Sequence, residues 1–155
     1  MNLPQRKANR MYGYDYSLRG AYFVTICVKE RAPILWEDCN GFQYSENYSL
    51  SEYGKTVNIE IERLNTIYNG IYVDKYCIMP DHIHLIIISN DIIGRSKIAP
   101  TLSRIIQQFK GVVSKKVGFS LWQKSFHDHI IRNEYDYSAI CKYIEENPTK
   151  YFLSK

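Results

Sequence analysis

Residues 79–88 read MPDHIHLIII, with His82 and His84 separated by one apolar residue. The run they open is too short to span a membrane and too β-branched to favour a helix. It predicts a buried strand. Alternate side chains of a strand share a face, which puts both imidazoles on one side with their backbones roughly 6–7 Å apart. At that separation both can reach one metal ion. A two-histidine site generally takes a third protein ligand and leaves room for substrate. Tyr143 and Asn147 stand four residues apart, on one face of a predicted helix. If that helix packs beside the histidine strand, Asn147 brings a hard oxygen that suits Mg²⁺ or Mn²⁺. Tyr143 then brings a nucleophile.

Each of these residues also has a plainer use. A histidine pair can be structural. Tyr143 is one of fourteen tyrosines, and a helical tyrosine commonly packs at the rim of a core. Tyr135 and Tyr137 are the alternative nucleophiles on the same helix. Asn147 precedes Pro148 and could simply end the helix. His127 and His129 form a rival pair on another predicted strand, where His129 with Asp128 reads as supporting or structural. Trp122 reads as core.

The elements that must position these residues follow from periodicity and turn signals. Ala21–Val28 is β-branched and aromatic, a first strand. Residues 29–49 read as a polar connection. Ser51 caps a helix carrying Tyr53, Val57, Ile61, Leu64 and Tyr68, which Asn69-Gly70 ends. Ile71–Ile78 is a second strand, and Pro80-Asp81 turns it into an antiparallel third over 82–88. Pro100 and Thr101 start a helix with the stripe Leu102, Ile105, Ile106, Phe109, Val112, Val113 and Val117, closed by Gly118. Trp122–Ile131 is a fourth strand. A last helix over 134–146 carries the core stripe Tyr137, Ile140, Cys141 and Ile144, and Asn147-Pro148 stops it. The order β-α-β-β-α-β matches the split βαβ, ferredoxin-like α+β pattern, an antiparallel sheet with two helices on one face. The third strand is apolar on both faces, so the extra C-terminal helix is expected to cover the second face.

The chain of 155 residues suits a single domain with a real core, here residues 1–155. It divides into a basic N-terminal segment over 1–19 and a candidate catalytic helix over 134–147. The hydrophobic share of 45% and charged share of 23% argue against disorder. No apolar stretch is long enough for a membrane span, and no secretory signal is visible. Cys27, Cys39, Cys77 and Cys141 are scattered, which argues against a zinc knuckle or a disulfide framework and for reduced thiols in a cytoplasmic protein. The net charge is only +4, but no acidic residue lies between Asp91 and Asp128. That stretch carries Arg95, Lys97, Arg104, Lys110, Lys115, Lys116 and Lys124, and the N-terminal segment adds Arg6, Lys7, Arg10 and Arg19. Such one-sided charge suits a polyanion as well as it suits a solvated face.

The pieces YFVTICV, MPDHIHLII, LSRIIQQFKG, WQKSFHDHIIR and YIEENPTKY, in this order, resemble the REP-associated tyrosine transposases. These are relatives of the single-tyrosine HUH transposases of small insertion sequences. The likeness covers nearly the whole chain from about residue 10, and MPDHIHL with YIEENPTK is its specific part. It departs at His127, where the family leads one to expect a larger aromatic residue. The resemblance implies a ferredoxin-like sheet with the nucleophile on the added C-terminal helix. It implies His82, His84 and Asn147 as ligands of Mg²⁺ or Mn²⁺ and Tyr143 as the attacking residue. The implied reaction cleaves and rejoins single-stranded, hairpin-containing DNA through a 5′-phosphotyrosine. Arg6, Lys7, Arg10, Arg104 and Lys110 are the expected phosphate contacts, and Tyr12 and Tyr14 could stack on bases. No membrane partner is implied, and both a monomer and a homodimer are compatible. Two alternatives remain open at this point: a replication-initiator or relaxase-like nickase sharing the site, and a non-catalytic nucleic-acid-binding module of the same fold.

Overall fold

The structure, a computed structural model, describes residues 20–37, 49–89 and 101–153, with residues 152 and 153 described by backbone alone. Its elements are β1 (Gly20–Cys27), α1 (Glu52–Ile67), β2 (Ile71–Ile78), β3 (His82–Ser89), α2 (Leu102–Val117), β4 (His127–Ile131) and α3 (Glu134–Leu153). The strands form one sheet in the order β2-β3-β1-β4, and all three pairings are antiparallel. This is the ferredoxin-like α+β arrangement expected from the element order.

Strand alternation divides the core into two layers. Tyr22, Val24 and Ile26 of β1 and Ile83, Leu85 and Ile87 of β3 face α1 and α2. Phe23, Cys77, Met79 and Ile86 face the other way and pack with Ile140 and Ile144 of α3. The apolar second face of β3 is thus covered by the last helix. The expected caps are in place. Ser51 Oγ accepts from Gly54 N at 3.1 Å, and Thr101 Oγ1 accepts from Arg104 N at 3.2 Å. Gly118 ends α2 in the left-handed region at φ 93°. Among the described residues no helix is long and apolar enough to cross a membrane.

Three boundaries differ from the sequence reading. The fourth strand is shorter than 122–131. Trp122 makes only an isolated bridge to Val28, and Gln123 N donates to Cys27 O at 2.9 Å. The polar residues 123–125 have no alternation to hold them to β1, so the ladder resumes only at His127. The last helix does not stop at Asn147-Pro148 but runs on to Leu153 with Pro148 inside it. Proline removes one helical N–H and crowds the preceding turn. Packing beyond it supplies a compensation, with Tyr151 edge-on to Trp36 at 5.3 Å between ring centroids. The connection after β1 is also less polar in role than in composition. Leu35 and Trp36 are buried, and Trp36 Nε1 donates to Ile78 O at 2.7 Å. A Cβ on Gly54 would lie 2.1 Å from Leu35 O, so α1 can approach this segment only because residue 54 is glycine.

Candidate active site

His82 and His84 lie on the α3 side of β3, as their spacing requires. Their Nε2 atoms face each other 3.1 Å apart. Each remaining ring nitrogen is held by an oxygen. Asp81 Oδ1 lies 2.6 Å from His82 Nδ1, and Thr25 Oγ1 lies 2.8 Å from His84 Nδ1. Register explains the second contact, since Thr25 of β1 is paired with His84 of β3. Oxygen partners on Nδ1 fix ring orientation and leave Nε2 to bind a metal. Two ligands about 2.1 Å from one octahedral ion stand about 3.0 Å apart, so the observed gap fits a shared divalent cation. With only a proton between them, the same two nitrogens make an N–H···N hydrogen bond. The Thr25 hydroxyl, able to donate or accept, permits either tautomer of His84.

Both imidazoles are kept neutral. Burial, then the neighbouring His82 and Arg31, push His84 down to about 3. His82 is also lowered, chiefly by burial and against the attraction of Asp81. Neutral imidazole is the form that ligates metal. Burial works to raise the Asp81 carboxyl, but hydrogen bonds from His82 and Arg31 outweigh it and hold it below the ordinary value.

The last helix brings Tyr143 to this pair. Its ring centroid lies 5.4 Å from that of His84 and 6.1 Å from that of Phe23, edge-on. The residue keeps 39% exposure. Tyr135 is 79% exposed, and the Tyr137 hydroxyl donates to Asp74 Oδ2. Neither shares Tyr143's place beside His84.

Asn147 follows one turn later and lies against Cys77. Cys77 is itself the register partner of His84. The Asn147 amide nitrogen is buried without a hydrogen bond of good geometry, although it is close enough to draw the Cys77 thiol down against burial. Burial still pushes that thiol up to about 12, so Cys77 is a neutral neighbour in the metal-free protein. Among the described residues no third His, Cys, Asp or Glu joins the pair to make a metal cluster. A buried Nδ2 without a partner, next to the strand residue paired with His84, is compatible with an amide oxygen serving as a third ligand, because amide O and N exchange places by a flip.

Polar contacts along its first three turns seat α3. At its start Asp136 Oδ2 lies 2.8 Å from His129 Nε2. The supporting partner of His129 is therefore Asp136, not Asp128, which alternation turns toward α1 and α2. A register shift between Val73 and Lys75 turns both Asp74 and Lys75 toward α3, where Asp74 meets Tyr137 and Lys75 Nζ lies 2.8 Å from Glu145 Oε1. His127 is exposed, while His129 is engaged by Asp136.

Of the expected phosphate contacts, the two described ones do not lie at this site. Arg104 is exposed on α2, across the sheet from the histidines. Lys110, also on α2, donates to Gln123 O at 2.5 Å. Arg6, Lys7, Arg10, Tyr12 and Tyr14 lie outside the described residues. Thr25, Asp81 and Arg31 were not singled out by sequence reasoning. Thr25 was readable as the polar residue on one face of an apolar strand, and Asp81 as the neighbour of His82. Arg31 carried no such signal.

A four-stranded antiparallel sheet whose one face carries paired imidazoles and a helix-borne phenol is the class of fold and site that the sequence resemblance implies. The family model for IS200-like transposases matches residues 19–147, and the chain belongs to that family. Among its relatives is a Haemophilus influenzae protein provisionally described as a REP-associated tyrosine transposase, 28% identical over 90% of this chain and 76% of its own length. An uncharacterised protein of the same organism is also 28% identical, over 92% of this chain and 88% of its own. Solved structures share the fold. A REP-associated tyrosine transposase bound to a REP hairpin superposes with a TM-score of 0.66 at 20% identity, over 92% of this chain and 74% of that one. A Deinococcus radiodurans protein provisionally described as a transposase gives 0.51 at 18% identity, over 88% and 95%.

Proposed function

We propose that the chain is a tyrosine transposase that cleaves and rejoins hairpin-bearing single-stranded DNA through a covalent 5′-phosphotyrosine on Tyr143. The observation that carries this reading is the Tyr143 ring 5.4 Å from the His84 ring, beside two imidazoles whose Nε2 atoms converge. His82, His84 and Asn147 are the residues that would hold a Mg²⁺ or Mn²⁺ ion, which when bound would supply charge stabilisation to the scissile phosphate. Thr25 and Asp81 hold the two rings so that both nitrogens point to one place. Phe23 and His84 flank the Tyr143 ring and fix its approach. The Tyr143 oxygen bonds to phosphorus as the P–O3′ bond breaks. The phenol proton leaves to solvent, and the departing 3′-oxygen takes one up. A 3′-hydroxyl of another strand then attacks the phosphotyrosine and restores the phenol, so bond energy is conserved and no nucleotide cofactor is needed.

Arg104 and Lys110 lie across the sheet from this point, so they serve DNA beyond the cleavage site. Arg6, Lys7 and Arg10 of the N-terminal segment are the other phosphate contacts in this reading. The family and the hairpin-bound structural neighbour support a hairpin as the partner. The test is incubation with a hairpin-bearing single strand and Mn²⁺, followed by denaturing electrophoresis. A covalent protein–DNA band that chelator abolishes is expected. Salt-dependent binding with no band would instead indicate a binding module.

A further inference from the structure

Arg31 sits where backbone conformation and side-chain geometry both call for explanation. It ends the single 3-10 turn Lys29–Arg31 that follows β1. Glu30 and Arg31 are consecutive non-glycine residues in the left-handed region, at φ 58° and 55°. Glycine is the low-strain residue there, and strained non-glycine positions persist where the surroundings fix them and a side chain is used. The surroundings do fix this turn. Val28 N donates to Asp81 O at 2.9 Å, Lys29 N to Leu121 O at 2.8 Å, and Leu35 N to Pro80 O at 3.0 Å. The turn is thereby clamped onto the loop that leads into the histidine strand.

The side chain points at the same loop. Arg31 Nε donates to Asp81 Oδ2 at 3.0 Å, and Nη1 donates to Cys27 Sγ at 3.2 Å. The other oxygen of Asp81 is already engaged by His82. The ion pair is therefore held through one nitrogen rather than as a fork, which among the described residues leaves further guanidinium N–H groups unengaged. The side chain is 53% exposed, and its charge is felt at both His82 and His84. A fixed, half-open guanidinium with spare donors beside the paired imidazoles is arranged to receive an oxyanion.

We infer that Arg31 contacts the DNA phosphate held at the His82–His84 site and donates to one of its non-bridging oxygens. The inference rests on the transposase reading for its substrate. The simpler role is that Arg31 only props Asp81 against His82, and the two roles separate by experiment. Binding of a hairpin-bearing single strand is titrated against salt in chelator. Mn²⁺ affinity and the rate of covalent adduct formation are measured on the same full-length proteins. Arg31→Gln keeps an amide near Asp81 but removes the charge. It is expected to weaken DNA binding about tenfold, to lower the salt slope by about one, and to leave Mn²⁺ affinity within about twofold. Arg31→Lys keeps the charge, so it holds the salt slope but slows adduct formation at saturating DNA. It decides the matter if the Gln variant fails to fold, because unchanged adduct formation by the Lys variant overturns the contact. Unchanged DNA affinity and salt slope in Arg31→Gln, with Mn²⁺ affinity lost, also overturns it and leaves only the prop. If the wild-type protein forms no adduct while Arg31→Gln still weakens DNA binding, the transposase chemistry fails and the phosphate contact stands.

Discussion

Each imidazole of the pair is held through its Nδ1 by an oxygen from a different source, Asp81 from the preceding turn and Thr25 from the neighbouring strand. Partners of this kind commonly carry about 10–100-fold in metal affinity. Thr25→Val keeps the strand residue's shape and removes the hydroxyl. It is expected to weaken Mn²⁺ binding by about 10–100-fold with little change in melting temperature, as calorimetric titration and thermal melts will read. The same burial that keeps the imidazoles neutral gives the metal-free protein a pH dependence. The unfolded chain protonates both rings near the ordinary value of about 6.5, whereas the folded chain holds His84 neutral down to about 3 and lowers His82. Between those limits the unfolded state binds more protons, so stability is intact above the unfolded value and falls as pH falls. The slope is at most about 1.4 kcal/mol per pH unit for each ring. Melts in chelator from pH 7 to pH 4 are expected to show a steady fall, and a flat melting temperature across that range contradicts it.

At the scale of elements, α3 decides whether the phenol meets the imidazoles. Ile140 and Ile144 bury against Phe23, Cys77 and Ile86, while Asp136, Tyr137 and Glu145 tie the helix to β4 and β2. Ile140 is 1% exposed, and Ile140→Ala is expected to cost about 2–5 kcal/mol. Denaturant melts will show that loss, and adduct formation should slow because Tyr143 loses its seat. Strands β1 to β3 and the starts of α1 and α2 were legible in the sequence, because capping and alternation are local signals. The pairing of His82 with His84 was legible for the same reason. The run of α3 through Pro148 was not, since the packing of Tyr151 on Trp36 that accompanies it joins residues far apart in the chain. Nor was the Arg31 turn, where no glycine or asparagine marks the left-handed backbone. The partner of His129 was misread because Asp128 is adjacent in sequence but points to the other face.

Across the whole molecule the sheet separates two kinds of chemistry. The imidazoles, Tyr143 and Arg31 gather on or beside the α3 side, whereas Arg104 and Lys110 stand on α2 on the other side. Tyr143 lies beside His84 of its own chain, so the site can be assembled in cis. On that arrangement a mixture of Tyr143→Phe and His84→Ala proteins is expected to stay inactive, because each site would draw both groups from one chain. Recovery of adduct in the mixture would mean that the helix exchanges between copies.

The central claim is that Tyr143 takes the 5′-phosphate. Wild-type protein and Tyr143→Phe are each incubated with Mn²⁺ and a hairpin-bearing single strand, then digested, and the nucleotide-bearing peptide is identified by mass spectrometry. The account predicts a nucleotide on Tyr143 in the wild type, and no adduct from a Tyr143→Phe protein that still binds the strand. A nucleotide on Tyr135 or Tyr137, or an adduct formed by Tyr143→Phe at the wild-type rate, would contradict it.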